Sequence, residues 1–104
     1  MIRVRFHTAS DNLIGFTLDG HAGAGVSGQD IVCAAVSSAA YMTANTVTEI
    51  IGATANITVE DGYMSVTVTD KIDGCQDILS GFRLHLEALQ DQYPNRVHLM
   101  NTEV

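Results

Sequence analysis

The sequence predicts an α+β fold: a small, largely antiparallel sheet with two helices, in the order ββαββα(β). Three observations predict it. Near the N-terminus, two stretches rich in apolar residues flank a short polar turn. Further on, Asp61-Gly62 separates two β-branched runs, a strong short-range hairpin signal. Finally, residues 30–51 and 75–93 are too long for ordinary strands, and the second carries its apolar residues at helical spacing.

Met1 to Thr8 alternates, with Ile2, Val4 and Phe6 on one face and Arg3, Arg5 and His7 on the other. That is the pattern of a half-buried strand. Ser10-Asp11-Asn12 is the turn, and Leu13 to Asp19 is the returning strand. Gly20 to Gln29 holds four glycines (Gly20, Gly23, Gly25 and Gly28) and reads as a mobile loop. Asp30 is a good N-cap and opens a helix expected to run to about Ile51 and to stop at Gly52. This helix has almost no charged face, so it is expected to be covered on more than one side, a second subunit being one cover.

Ala55 to Glu60 and Tyr63 to Thr69 are the strands of the second hairpin, and Lys71 to Gly74 is a connector. The second helix is expected over Cys75 to Tyr93, with Ile78, Leu79, Phe82, Leu86, Leu89 and Tyr93 on one stripe. Pro94 ends it, and Arg96 to Thr102 is the final short strand. Strand order does not follow from the sequence.

A chain of 104 residues, 46% hydrophobic and 16% charged, is expected to fold as one domain over residues 1–104. The start alternates instead of forming an apolar block, unlike a signal peptide. No stretch reads as long and apolar enough to span a bilayer, so no membrane partner is expected. The net charge of −7 argues against a nucleic-acid partner, where a basic surface is the usual footprint. It either draws in a basic partner over long range or only keeps the chain soluble.

Two cysteines make a poor disulfide framework, and free thiols fit a cytoplasmic location. There is no CxxC pair, and a zinc site from His21, Cys33 and Cys75 lacks a recognisable ligand spacing. No metal or other cofactor is expected. Cys75 begins the apolar stripe of the second helix and reads as core. His7, His85 and His98 read as surface residues.

Cys33 is the candidate nucleophile. By residue type alone, a lone cysteine is usually a small buried hydrophobe. Its position argues otherwise. With Asp30 as cap, Cys33 falls at about the third helical position, near the positive end of the helix dipole, which favours thiolate. The N–H groups of Val32 and Cys33 are then placed to hold an oxyanion. His21, twelve residues earlier and between glycine-bearing neighbours, is either a solvated loop residue or the base that takes the thiol proton. Asp30 caps the helix and is also placed to orient His21. Ser37, one turn after Cys33, either bonds back to the Cys33 carbonyl or lines the pocket.

Gly20-His21-Ala22-Gly23, followed by Gly28-Gln29-Asp30-Ile31-Val32-Cys33-Ala34-Ala35-Val36-Ser37, resembles the ribosomal-processing cysteine proteases called Prp. The resemblance extends over the whole chain, and its two motif blocks are intact. Departures lie at Ala24-Gly25-Val26-Ser27 and after Pro94, and they bear on substrate subsites. The resemblance implies a cysteine endopeptidase that removes a short N-terminal extension from the large-subunit ribosomal protein L-twenty-seven, after a phenylalanine ahead of a basic body. It implies His21 as general base and Cys33 as nucleophile, with Gly20, Asp30, Val32 and Ser37 in supporting or oxyanion positions. A homodimer with a flexible loop over the site is also implied. The substrate's apolar segment is expected beside the sheet edge or the loop. The contrasting expectation is a non-catalytic ribosome-assembly factor that binds the same basic protein without cutting it. A thiol-based redox or acyl-transfer protein is the other.

Overall fold

A computed structural model gives the architecture; the structure describes residues 1–20 and 31–104. The expected loop from His21 onward and the assignments at His21 and Asp30 lie outside the described residues. The element order is β1 (Ile2–Ala9), β2 (Asn12–Asp19), α1 (Ile31–Asn45), β3 (Ala55–Glu60), β4 (Tyr63–Val68), α2 (Gln76–Gln92) and β5 (Val97–Glu103). This is the expected α+β order, final strand included.

The strands form one sheet in the order β3-β4-β2-β1-β5. All pairs are antiparallel except β1 with β5, which is parallel. Ser10 and Asp11 both take left-handed φ values, 51° and 65°. That geometry suits the right-handed twist of the strands it joins. The turn is therefore two residues long, and Asn12 already belongs to β2.

One sheet face carries Val4, Phe6, Phe16, Met64 and Val66, all buried, and the helices cover it. Phe82 of α2 packs on Phe6 and Phe16, with ring centroids 5.7 and 4.6 Å away. The opposite face is polar. On it Arg5 pairs with Asp19 at 2.7 Å, and His7 Nε2 hydrogen-bonds Thr17 Oγ1 at 2.7 Å. His7 is thus half-buried rather than a plain surface residue. Burial, and then the Arg5 charge, hold its pKa below the ordinary value.

The first helix does not stay α-helical to its end. Thr46–Ile50 forms a π-helical turn. The Thr43, Thr46 and Thr48 hydroxyls donate to the carbonyls of Ala39, Met42 and Ala44. These bonds compete with the backbone ladder and loosen it. Gly52, at φ +76°, then reverses the chain as expected. Ile31–Ile50 is long and apolar enough, by length and composition alone, to cross a membrane, contrary to the sequence expectation. Its Val32, Val36, Ala40, Ala44 and Val47 are buried in the core. Length and composition carry no information about that packing, which buries 33% of the apolar window.

The connector is a 3-10 turn, Ile72–Cys75, so α2 begins one residue later than expected. The Gln76 side chain accepts from Leu13 N–H at 2.9 Å and donates to Leu13 C=O at 2.8 Å. It imitates a strand partner where β1 and β2 slip register, between His7 and Thr8, and pins α2 to the sheet.

Candidate active site

The candidate site lies where β2 ends, α1 begins and the β3–β4 hairpin turns. Gly20 sets this junction. Its φ is +94°, and a Cβ there would overlap the Met1 carbonyl oxygen. Its N–H donates to the Gly62 carbonyl at 2.9 Å, tying the end of β2 to the hairpin turn.

Cys33 is the third residue of α1 and half-buried, packed against the core cluster on one side. On the other side it opens onto a cleft of about 200 Å³. Cys33, Ser37 and Tyr41, spaced four apart, form the helical wall of this cleft. Leu18, Val36 and Met64 also line it and are buried, Leu18 and Met64 coming from neighbouring strands. Val59 lines it from β3, and the acidic residues Glu60 and Asp61 are among its lining at the hairpin turn. No Lys or Arg lines it among the described residues.

In its first turn an α-helix leaves backbone N–H groups outside its own ladder, and its dipole is positive there. Cys33 sits in that turn, so the helix favours negative charge on the sulfur. The Val32 side chain is 3% exposed and belongs to the core, which leaves its backbone as the part able to serve a site. The cleft therefore combines a polarisable nucleophile, a hydroxyl one turn away, apolar lining and local negative charge.

Of the sequence-predicted residues, the structure brings Gly20, Cys33 and Ser37 to one cleft. His21 is bonded directly to Gly20 in the sequence, but its placement and that of Asp30 lie outside the described residues. Cys75 is fully buried, and its thiol pKa is pushed up, chiefly by burial and further by the charge of Asp70. A thiol held neutral in this way is no nucleophile. Among the described residues no cluster of three or more His, Cys, Asp or Glu side chains is placed to hold a metal.

Sequence reading missed Tyr41, Val59, Glu60 and Asp61 as site residues. Tyr41 had a readable signal, two four-residue steps from Cys33 through Ser37. The hairpin residues had none, because their turn chemistry says nothing of what the turn faces.

No curated protein matches the chain significantly. Among solved structures, the essential ribosomal processing protease Prp from S. aureus, in complex with a covalently linked product peptide, superposes with a TM-score of 0.90. It is 25% identical, over 98% of this chain and 100% of that one. SMU.848 from Streptococcus mutans is 28% identical, with a TM-score of 0.86, over 100% of this chain and 96% of that one. The family model described as cysteine protease Prp matches residues 1–98. A half-buried cysteine opening on a cleft fits that description, and the match takes in β1 to β4, both helices and the start of β5. The chain belongs to the Prp family of cysteine proteases.

Proposed function

We propose that this protease removes the N-terminal extension of the large-subunit ribosomal protein L-twenty-seven by a Cys33/His21 mechanism. The observation that carries the reading is Cys33 in the first turn of α1, open to a cleft whose lining is apolar and includes the acidic residues Glu60 and Asp61. An apolar segment ahead of a basic body matches both features of that cleft. The similar S. aureus protein is itself a ribosomal processing protease found with a covalently linked product peptide.

In this reading His21 takes the Cys33 proton, and the thiolate attacks the scissile carbonyl carbon. The N–H groups of Val32 and Cys33 hold the oxyanion. As the C–N bond breaks, His21 returns its proton to the leaving amine, and a thioester remains on Cys33. Water, deprotonated by His21, hydrolyses the thioester and frees the sulfur. Asp30 caps α1 and orients His21. Gly20 lets the chain turn at the cleft mouth, and Ser37 lines it. The work is cytoplasmic, where a basic substrate meets a protein of net charge −7.

The test is mass spectrometry of L-twenty-seven from the same genome after incubation with the protein. Two fragments are expected from the wild type, and none from Cys33→Ser, which still binds. The cleavage rate is expected to fall as ionic strength rises. An intact substrate with both proteins would favour the non-catalytic assembly factor. A persistent thioester or disulfide would favour the redox or acyl-transfer reading.

We further propose a homodimer that covers the outer side of α1. An apolar groove of about 620 Å³ runs between the helices there, lined by Ala39, Met42, Ile78 and Phe82 among others. Met42 is 55% exposed, so Met42→Lys is expected to leave the fold intact and shift the protein toward monomer in sedimentation. An unchanged sedimentation coefficient would count against this interface.

A further inference from the structure

Among the described residues, the apolar face of the sheet extends one strand further than its cover. Ile57 and Val59 of β3 pair with Val66 and Met64 of β4 in an unbroken antiparallel register. Val66 and Met64 are 0% and 5% exposed, whereas Ile57 and Val59 are 42% and 49% exposed. β3 is the outermost strand, and among the described residues no strand lies beside it.

Edge strands usually carry a lysine, a proline or a bulge that blocks further pairing. The run Ala55-Asn56-Ile57-Thr58-Val59 has none of these. The opposite edge is defended. There the Leu99 N–H of β5 donates to Gln90 Oε1 of α2 at 2.7 Å, and the strand ends in polar residues. The open edge is also the one that reaches the candidate nucleophile, since Val59 and Glu60 line the cleft onto which Cys33 opens.

We propose that the substrate polypeptide docks as an added strand on the outer edge of β3, with alternate apolar side chains resting on Ile57 and Val59. This rests on the peptidase reading of the cleft. A peptide presented to a nucleophile lies extended, and an extended chain repeats its side-chain direction every second residue, as Ile57 and Val59 do. In strand addition the main-chain hydrogen bonds supply affinity and the alternate side chains supply selectivity. Tyr41 lines the same cleft as Val59 and Cys33, so a docked apolar side chain meets it there. The docked segment is thus β-branched, aromatic or otherwise apolar at every second position.

The test uses synthetic peptides of the apolar extension, unmodified and N-methylated at single backbone nitrogens, with Ile57→Lys and Val59→Lys proteins. N-methylation at one alternating set of positions is expected to weaken binding at least about tenfold, and at the other set hardly at all. Both lysine variants are expected to raise KM severalfold with a much smaller change in kcat. The proposal is overturned if all N-methylated peptides bind alike, or if both variants cleave the unmodified peptide as the wild type does. A wild type that leaves the unmodified peptide intact sinks the peptidase reading, and this docking mode with it. The methylated peptides keep the test independent of how the variants fold.

Discussion

The two helices differ in what explains their sequences. In α2 the buried residues Leu79, Phe82 and Leu86 fall on one stripe, and Asp77, Ser80 and Glu87 are exposed. Burial accounts for that stripe, and one large apolar residue, Leu84, stays outside it at 70% exposure. In α1 burial accounts for less. Val32, Val36, Ala40 and Ala44 are buried, yet Ile31, Tyr41 and Met42 are apolar and exposed at 63%, 47% and 55%. A helix that keeps apolar residues after its core face is satisfied has something else to meet. On one side that is the cleft beside Cys33 and Tyr41, and on another the groove beside Met42. The difference is one of degree: α2 leaves Leu84 exposed, whereas α1 leaves three large apolar side chains exposed and lends Cys33, Ser37 and Tyr41 to the cleft.

This contrast is open to attack at both helices. Cys33→Ser in α1 is expected to lower kcat/KM at least about a thousandfold while leaving the urea midpoint nearly unchanged. Phe82→Ala in α2 is expected to cost about 3–5 kcal/mol, because it empties the space between Phe6 and Phe16. A Cys33 variant that unfolds, or a Phe82 variant of full stability, would erase the distinction.

Gln76→Ala is expected to cost about 1–3 kcal/mol in chemical denaturation. It removes both hydrogen bonds to Leu13 and so loosens the N-terminal end of α2 from the sheet. A loss no larger than that of an exposed alanine substitution would show that this docking contributes little.

The smallest expected effect is a pH dependence that belongs to neither helix. His7 has a folded pKa below its ordinary value of 6.5. As pH falls through that value the unfolded chain takes up a proton before the folded one does, so stability declines on acidification and is fully present above it. His7→Gln, which keeps a side chain able to reach Thr17, is expected to flatten the slope of the urea midpoint between about pH 7 and pH 5.5. An unchanged slope would assign it to other groups.

The alternation of Ile2, Val4 and Phe6 and the Asp61-Gly62 turn were legible because each depends on residues a few positions apart. The place of Cys33 near the start of α1 was legible as well, since in the sequence an apolar helical run follows a glycine-rich stretch. The slip beside Leu13 was not, because its partner is Gln76, 63 positions along the chain. Nor were Val59, Glu60 and Asp61 as cleft residues, since a hairpin signal fixes a turn but not its neighbour.

The order of strands and helices, the place of the cysteine in the first turn of α1, and the amphipathic character of α2 were determined by the sequence itself. They follow from backbone preferences and side-chain periods, which act over one or two turns. Tertiary structure decided that β5 runs parallel to β1, that β3 is the outermost strand among the described residues, and that Tyr41 and Val59 share a cleft with Cys33. Those outcomes depend on which surfaces find each other once the elements exist. Shape and burial select among such pairings across the whole chain, and no local pattern encodes the choice.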